Sequence, residues 1–166
     1  MVPQTRGGLE ADQTFDSAEK LYRRVPPECL SPLGELVPSH ISCSFGDSVR
    51  KAPSVVRSKY AGPLDVLHSD CANGKDVSGH LVFYVSVSEL PSEVEAGNKE
   101  IYDFIPLHDP EELCFAHSVI SCLRRGNPTA EYQKPTNAVR NKLKDLFVKS
   151  FQEQHFTIGP KPFSTA

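Results

Sequence analysis

The clearest alternation of apolar and polar positions lies between residues 63 and 107, where PLDVLHSD, GHLVFYVSVSEL and EIYDFIPL form three β-rich runs. Turn-forming or charged segments separate them. In the second run Leu81, Phe83, Val85 and Val87 share one face, as the period of a strand requires. HDPEELCFAHSVISCLRRGNP then carries helix boundary signals: Asp109 as N-cap, Pro110 at N1, two glutamates in the first turn, two arginines in the last and Gly126 beyond. These signals predict a helix with Leu113, Ala116, Ile120 and Leu123 along one side. TNAVRNKLKDLFVKSFQEQ predicts a second amphipathic helix with Val139, Leu143, Leu146, Phe147 and Phe151 inward, and HFTIG a last short strand.

The earlier half of the chain is less regular. Residues 1–14 are polar and predict a disordered lead-in. DSAEKLYRR offers an N-cap at Asp16 or Ser17 and predicts a short helix that VPPE stops. VPSHISCSF alternates like a strand, and SVRKAPSVVRSKYAGP reads as a basic, exposed connector broken by proline. The resulting order is a three-stranded meander, helix, helix and short strand, an α/β arrangement.

Composition narrows the function classes. A chain of 166 residues suits one domain with a true core. A net charge of −3 leaves only a local basic patch available for nucleic acid. Five cysteines with no paired spacing point to a reducing compartment and exclude a C-x-x-C redox or zinc motif. No stretch has the length of a membrane span or the apolar core of a signal peptide, so the expectation is an intracellular protein, cytoplasmic or nuclear, without membrane contact.

PLDVLHSD resembles the P-L-x-x-L-H-(S/T)-D strand of retrotransposon integrases of the copia type, and the likeness extends in segments over residues 17–166. GHLVFYVSVSE is similar to the family's second strand, EIYDFIPLHDPEEL to its third strand and first core helix. HISCSFGDSVRKAP looks like a worn pre-integrase segment. The resemblance implies a degenerate pre-integrase segment and basic connector over 15–60 and an incomplete ribonuclease-H-like integrase core over 61–166. It also implies DNA integration by ancestry, with Asp70 as the surviving catalytic, Mg²⁺-binding aspartate.

The departures from the family pattern predict a protein without catalytic competence. In LRRGNPTAEY, Gly126 stands where the second metal-binding aspartate belongs and Pro128 where the glycine does, while the family's catalytic glutamate would lie beyond Ala166. Glu131 matches a family glutamate that is not catalytic. With two of three carboxylates missing, Mg²⁺ binding is expected to be weak or absent. Cys43 keeps one zinc-ligand position, but Gly46, Arg23 and a proline near 26 fill the others, so no zinc is expected.

Arg50, Lys51, Arg57 and Lys59 form a basic cluster that predicts weak, nonspecific nucleic-acid binding, with a solvated surface loop as its plainer reading. Cys114 and Cys122 read as packing residues, and Asp70 alone could be a turn residue. Two further function classes follow from the residues. One is an α/β protein-interaction module with no nucleic-acid role. The other is a two-histidine phosphoesterase built on His40 and His155, whose fold needs a second lobe for which only eleven residues follow His155.

Overall fold

The computed structural model describes residues 10–33, 53–95, 99–126, 145–146 and 149–150. Among these residues, six antiparallel strands form one curled sheet in an α/β-like fold with few helices: β1 (Lys20–Val25), β2 (Ser54–Arg57), β3 (Leu81–Ser86), β4 (Val94–Glu95), β5 (Ile101–His108) and β6 (His117–Arg124). Their order is β3-β1-β2-β6-β5-β4.

The second and third predicted runs are β3 and β5, and Leu81, Phe83 and Val85 do face one core together. Three other expectations are corrected. The predicted Asp109–Arg125 helix is a loop followed by β6, which pairs with β5 over seven positions from Tyr102↔Arg124 to His108↔Ser118 and with β2 on its other side. Backbone partners on both edges, with Val119 and Ile120 suited to a pleat, override the helix boundary signals. DSAEKLYRR ends in β1 instead of a helix, because Lys20 to Val25 pair residue by residue with Ser86 to Leu81. The supposedly exposed connector contains β2, the junction between β1 and β6.

PLDVLHSD is not a strand. Pro63–Leu67 is a 3-10 helix and Ser69–Ala72 a single helical turn, α1. Proline at its first position and the Asp65 carboxylate accepting from Gly62 N at 2.7 Å start the first; the His68 ring accepts from Asp70 N and starts the second. The part of the lead-in that is described also packs: Ala11 is buried and Asp12 is bonded into the fold. Residues 145–146 and 149–150 are helical, and Leu146, expected inward, is 36 % exposed. The rest of that predicted helix, the HISC and HFTIG segments, His40, Cys43, Gly46, Glu131 and His155 lie outside the described residues.

Both sheet faces are covered. One carries Leu21, Val25, Val55, Phe83, Val85, Phe104, Ile120 and Cys122. The other carries Tyr22, Val56 and Val82 under Val66, Cys114 and Ala116. Each fully buried aliphatic or phenyl side chain contributes roughly 1.5–3 kcal/mol, so this double core is the main stabilising term. Cys71 of α1 and Cys114 of the β5–β6 loop form a disulfide across the second face, with their Cα atoms 5.0 Å apart. This corrects the expectation that Cys114 only packs; Cys122 is a free, buried thiol that burial pushes up to about 12.

Candidate active site

The residues singled out by sequence fall in different places. Asp70 sits in α1 with its side chain 51 % exposed, and its Oδ2 lies 3.5 Å from His68 Nδ1. Mg²⁺ requires converging oxygen ligands. Among the described residues no group of three or more histidine, cysteine, aspartate or glutamate side chains could hold a metal, and Asp70 with an imidazole beside it does not fit that ion.

The basic cluster is also divided. Arg50 and Lys51 lie outside the described residues. Arg57 is fully buried: Nε and NH2 donate to the Glu19 carboxylate at 2.7 and 3.0 Å, and NH1 and NH2 to the carbonyls of Asp12 and Thr14. Phe15 stacks on its guanidinium 3.9 Å from the ring centroid. A phosphate cannot reach it, so Arg57 is a core cation and not a nucleic-acid contact. Lys59 donates to Asp12 Oδ2 at 2.6 Å, and Tyr60 donates to the same oxygen. These two donors and the Thr14 N–H hold the Asp12 carboxyl well below the usual carboxylate range.

Two histidines are enclosed by the fold. His108 has both ring nitrogens engaged: Nδ1 accepts from Asp12 N at 2.8 Å and Nε2 donates to the Phe115 carbonyl at 2.6 Å. That arrangement requires a neutral ring, and burial lowers its pKa. Its role is to tie the N-terminal segment to the sheet.

His117 is arranged differently. Val56 of β2 pairs with His117 and Ser54 with Val119, so strand alternation puts the side chains of Ser54 and His117 on one face as diagonal neighbours. The His117 ring is 11 % exposed, and Nδ1 lies 2.7 Å from the Asp109 carbonyl, which can only accept. Nδ1 therefore carries a hydrogen, and in the neutral ring Nε2 presents its lone pair to the Ser54 hydroxyl 3.2 Å away. Asp109 Oδ2 lies 3.5 Å from Nδ1 and Glu111 Oε1 3.5 Å from Nε2, so positive charge arising on the ring meets two carboxylates. Ser54 is exposed and His117 buried.

The local fold explains why the ring is held. The β5–β6 loop closes on itself: Asp109 N donates to His117 O, Glu111 and Cys114 exchange backbone bonds, and His117 N donates to Cys114 O. The Cys71–Cys114 disulfide pins this loop to α1. On the other side, Arg23 NH1 donates to the Ser54 carbonyl at 2.7 Å and fixes the start of β2.

Sequence reasoning assigned neither residue a role. His117 fell within the predicted helix and Ser54 within the connector, and 63 residues separate them. No short-range spacing signals such a pair; only the β2–β6 register does. Comparison of the chain with protein-family models, curated proteins and solved structures finds no match.

Proposed function

We propose that this protein is a group-transfer enzyme of the hydrolase type, with Ser54 as nucleophile and His117 as general base and acid. One observation carries the reading: the Asp109 carbonyl fixes the His117 tautomer, so that Nε2 faces the Ser54 hydroxyl. In the acyl-transfer form, Ser54 Oγ bonds to an ester carbonyl carbon while its proton passes to Nε2. The leaving oxygen takes that proton as the C–O bond breaks, and water attacking the acyl-serine repeats the cycle. The Asp109 carbonyl and carboxylate and Glu111 steady the imidazolium between the two transfers.

A fluorophosphonate probe followed by peptide mass analysis tests this. Labelling of Ser54 that vanishes in Ser54→Ala and falls by about 10²-fold or more in His117→Gln is the expected result. Both variants must keep the wild-type melting profile. Absence of label on the wild type, or label that persists in Ser54→Ala, overturns the reading.

A second reading rests on the PLDVLHSD string and on Arg50 and Lys51: weak, nonspecific nucleic-acid binding by retroelement integrase ancestry, on an incomplete ribonuclease-H-like core without a competent Mg²⁺ site. Salt-sensitive retention on nonspecific DNA, weakened in Arg50→Ala/Lys51→Ala, supports it. Retention that ignores salt favours a protein-interaction module instead.

A further inference from the structure

We infer that Arg24 is the substrate-recognition residue of the Ser54–His117 site and that the substrate is an anion, bearing a carboxylate or phosphate near the bond that breaks. This inference rests on the reading of Ser54 and His117 as a reactive pair. Arg24 lies on β1 opposite Val82, and alternation along the strand puts it with Tyr22 on the sheet face that carries Ser54 and His117.

Three observations set Arg24 apart from a structural arginine. First, it is half-buried yet makes a single long hydrogen bond among the described residues, NH1 to the Cys71 carbonyl at 3.3 Å, and no ion pair. A guanidinium carries five N–H donors, so most of its donor capacity is uncommitted. Secondly, Arg57, Arg124 and Arg125 each hold a carboxylate, at 2.7, 2.9 and 2.7 Å. Thirdly, burial penalises the charge of Arg24, and the field of Glu111 offsets only part of that penalty. Glu111 is also the carboxylate 3.5 Å from His117 Nε2, so one carboxylate's field acts on both Arg24 and the imidazole.

The structural alternative is that Arg24 only braces α1 through the Cys71 carbonyl. A lysine or glutamine could serve one carbonyl equally well without burying a delocalised charge. A half-buried guanidinium with uncommitted donors on the sheet face that carries Ser54 suits a planar or tetrahedral oxyanion, which it can grip by two parallel N–H bonds. An entering anion would complete those donors and remove the uncompensated charge.

The test uses the full chain, inorganic phosphate and acetate as probes, and two readouts. Phosphate or acetate is expected to raise the melting temperature of the wild type and to slow fluorophosphonate labelling of Ser54. Arg24→Gln should weaken both effects about tenfold or more, the loss of one charge-assisted contact. Arg24→Lys should restore part of the response, and Lys75→Gln, which removes an exposed charge, should leave it intact. The probe that responds more strongly identifies the oxyanion class. Equal responses in wild type and Arg24→Gln, or no response in the wild type, overturn the inference even where Ser54 still labels. A wild type that binds either anion through Arg24 while Ser54 never labels keeps the anion site and removes the catalytic reading.

Discussion

Arg57 and Glu19 meet inside the protein as a two-pronged pair, with Nε–Oε1 at 2.7 Å and NH2–Oε2 at 3.0 Å, although 38 residues separate them in the chain. Strand β2 is thereby bolted to the turn that precedes β1. Because Arg57 is fully buried, removing its partner strands a charge in the core. Glu19→Gln is expected to cost about 3–5 kcal/mol, read as a shift in the urea midpoint. The double change Glu19→Leu/Arg57→Met should recover much of that loss, since it leaves no unpaired ion.

His108 gives the fold an acid sensitivity. Burial holds its folded pKa below the unfolded value of about 6.5, so the contribution is complete above that value and is lost as pH falls through the folded pKa. Asp12, lowered first by Lys59, adds a second loss at still lower pH, as its carboxylate is protonated. Urea midpoints measured from pH 7.5 downward should decline in two stages. His108→Asn, which keeps an acceptor for Asp12 N, should remove the first stage and preserve the second.

The disulfide joins residues 43 apart and closes a loop of that length in the unfolded chain. Cleaving it with a phosphine reductant is expected to lower stability by about 2–4 kcal/mol. Cys71→Ala/Cys114→Ala should show the same loss and no further response to reductant. A wild-type melt unchanged by reduction would refute this.

Asn73 closes α1 in the left-handed region, at φ 53 and ψ 41, immediately before Gly74 at φ 69. Asn73→Ala should destabilise by about 1 kcal/mol and Asn73→Gly should not, because alanine keeps the Cβ that this region disfavours without asparagine's local hydrogen bonding, while glycine has no Cβ. Thermal melts of the two variants separate these outcomes.

Legibility in the sequence followed burial geometry. GHLVFYVSV and EIYDFIPL could be read because both are rich in β-branched and aromatic residues and because alternation survives in part, with Tyr84 and Ser86 only partly buried in the first and Ile105 and Leu107 exposed between Phe104 and His108 in the second. FAHSVISCL could not: Ser118, Ile120, Ser121 and Cys122 are all buried, so no period of two remains, and the flanking Asp-Pro and Arg-Arg-Gly imitated helix ends. SVVR is short, and a buried arginine paired to a distant glutamate looks like a surface charge when the chain is read linearly. The candidate site was hidden for the same reason. Its members come from β1, β2 and the start of β6, and nothing local links Arg24, Ser54 and His117.

Strand β2 is four residues long and is the only seam between the β3–β1 ribbon and the β6–β5–β4 ribbon among the described strands. Its pairings join positions 57 to 21 and 54 to 119, so two large chain closures must precede them. The β4–β5–β6 side is joined by short connections and can form earlier, but the Ser54–His117 contact exists only once this narrow stitch is sewn. A partly folded chain would therefore lack the Ser54–His117 contact, which would form last, in step with protection of the Val55 and Val56 amides from hydrogen exchange.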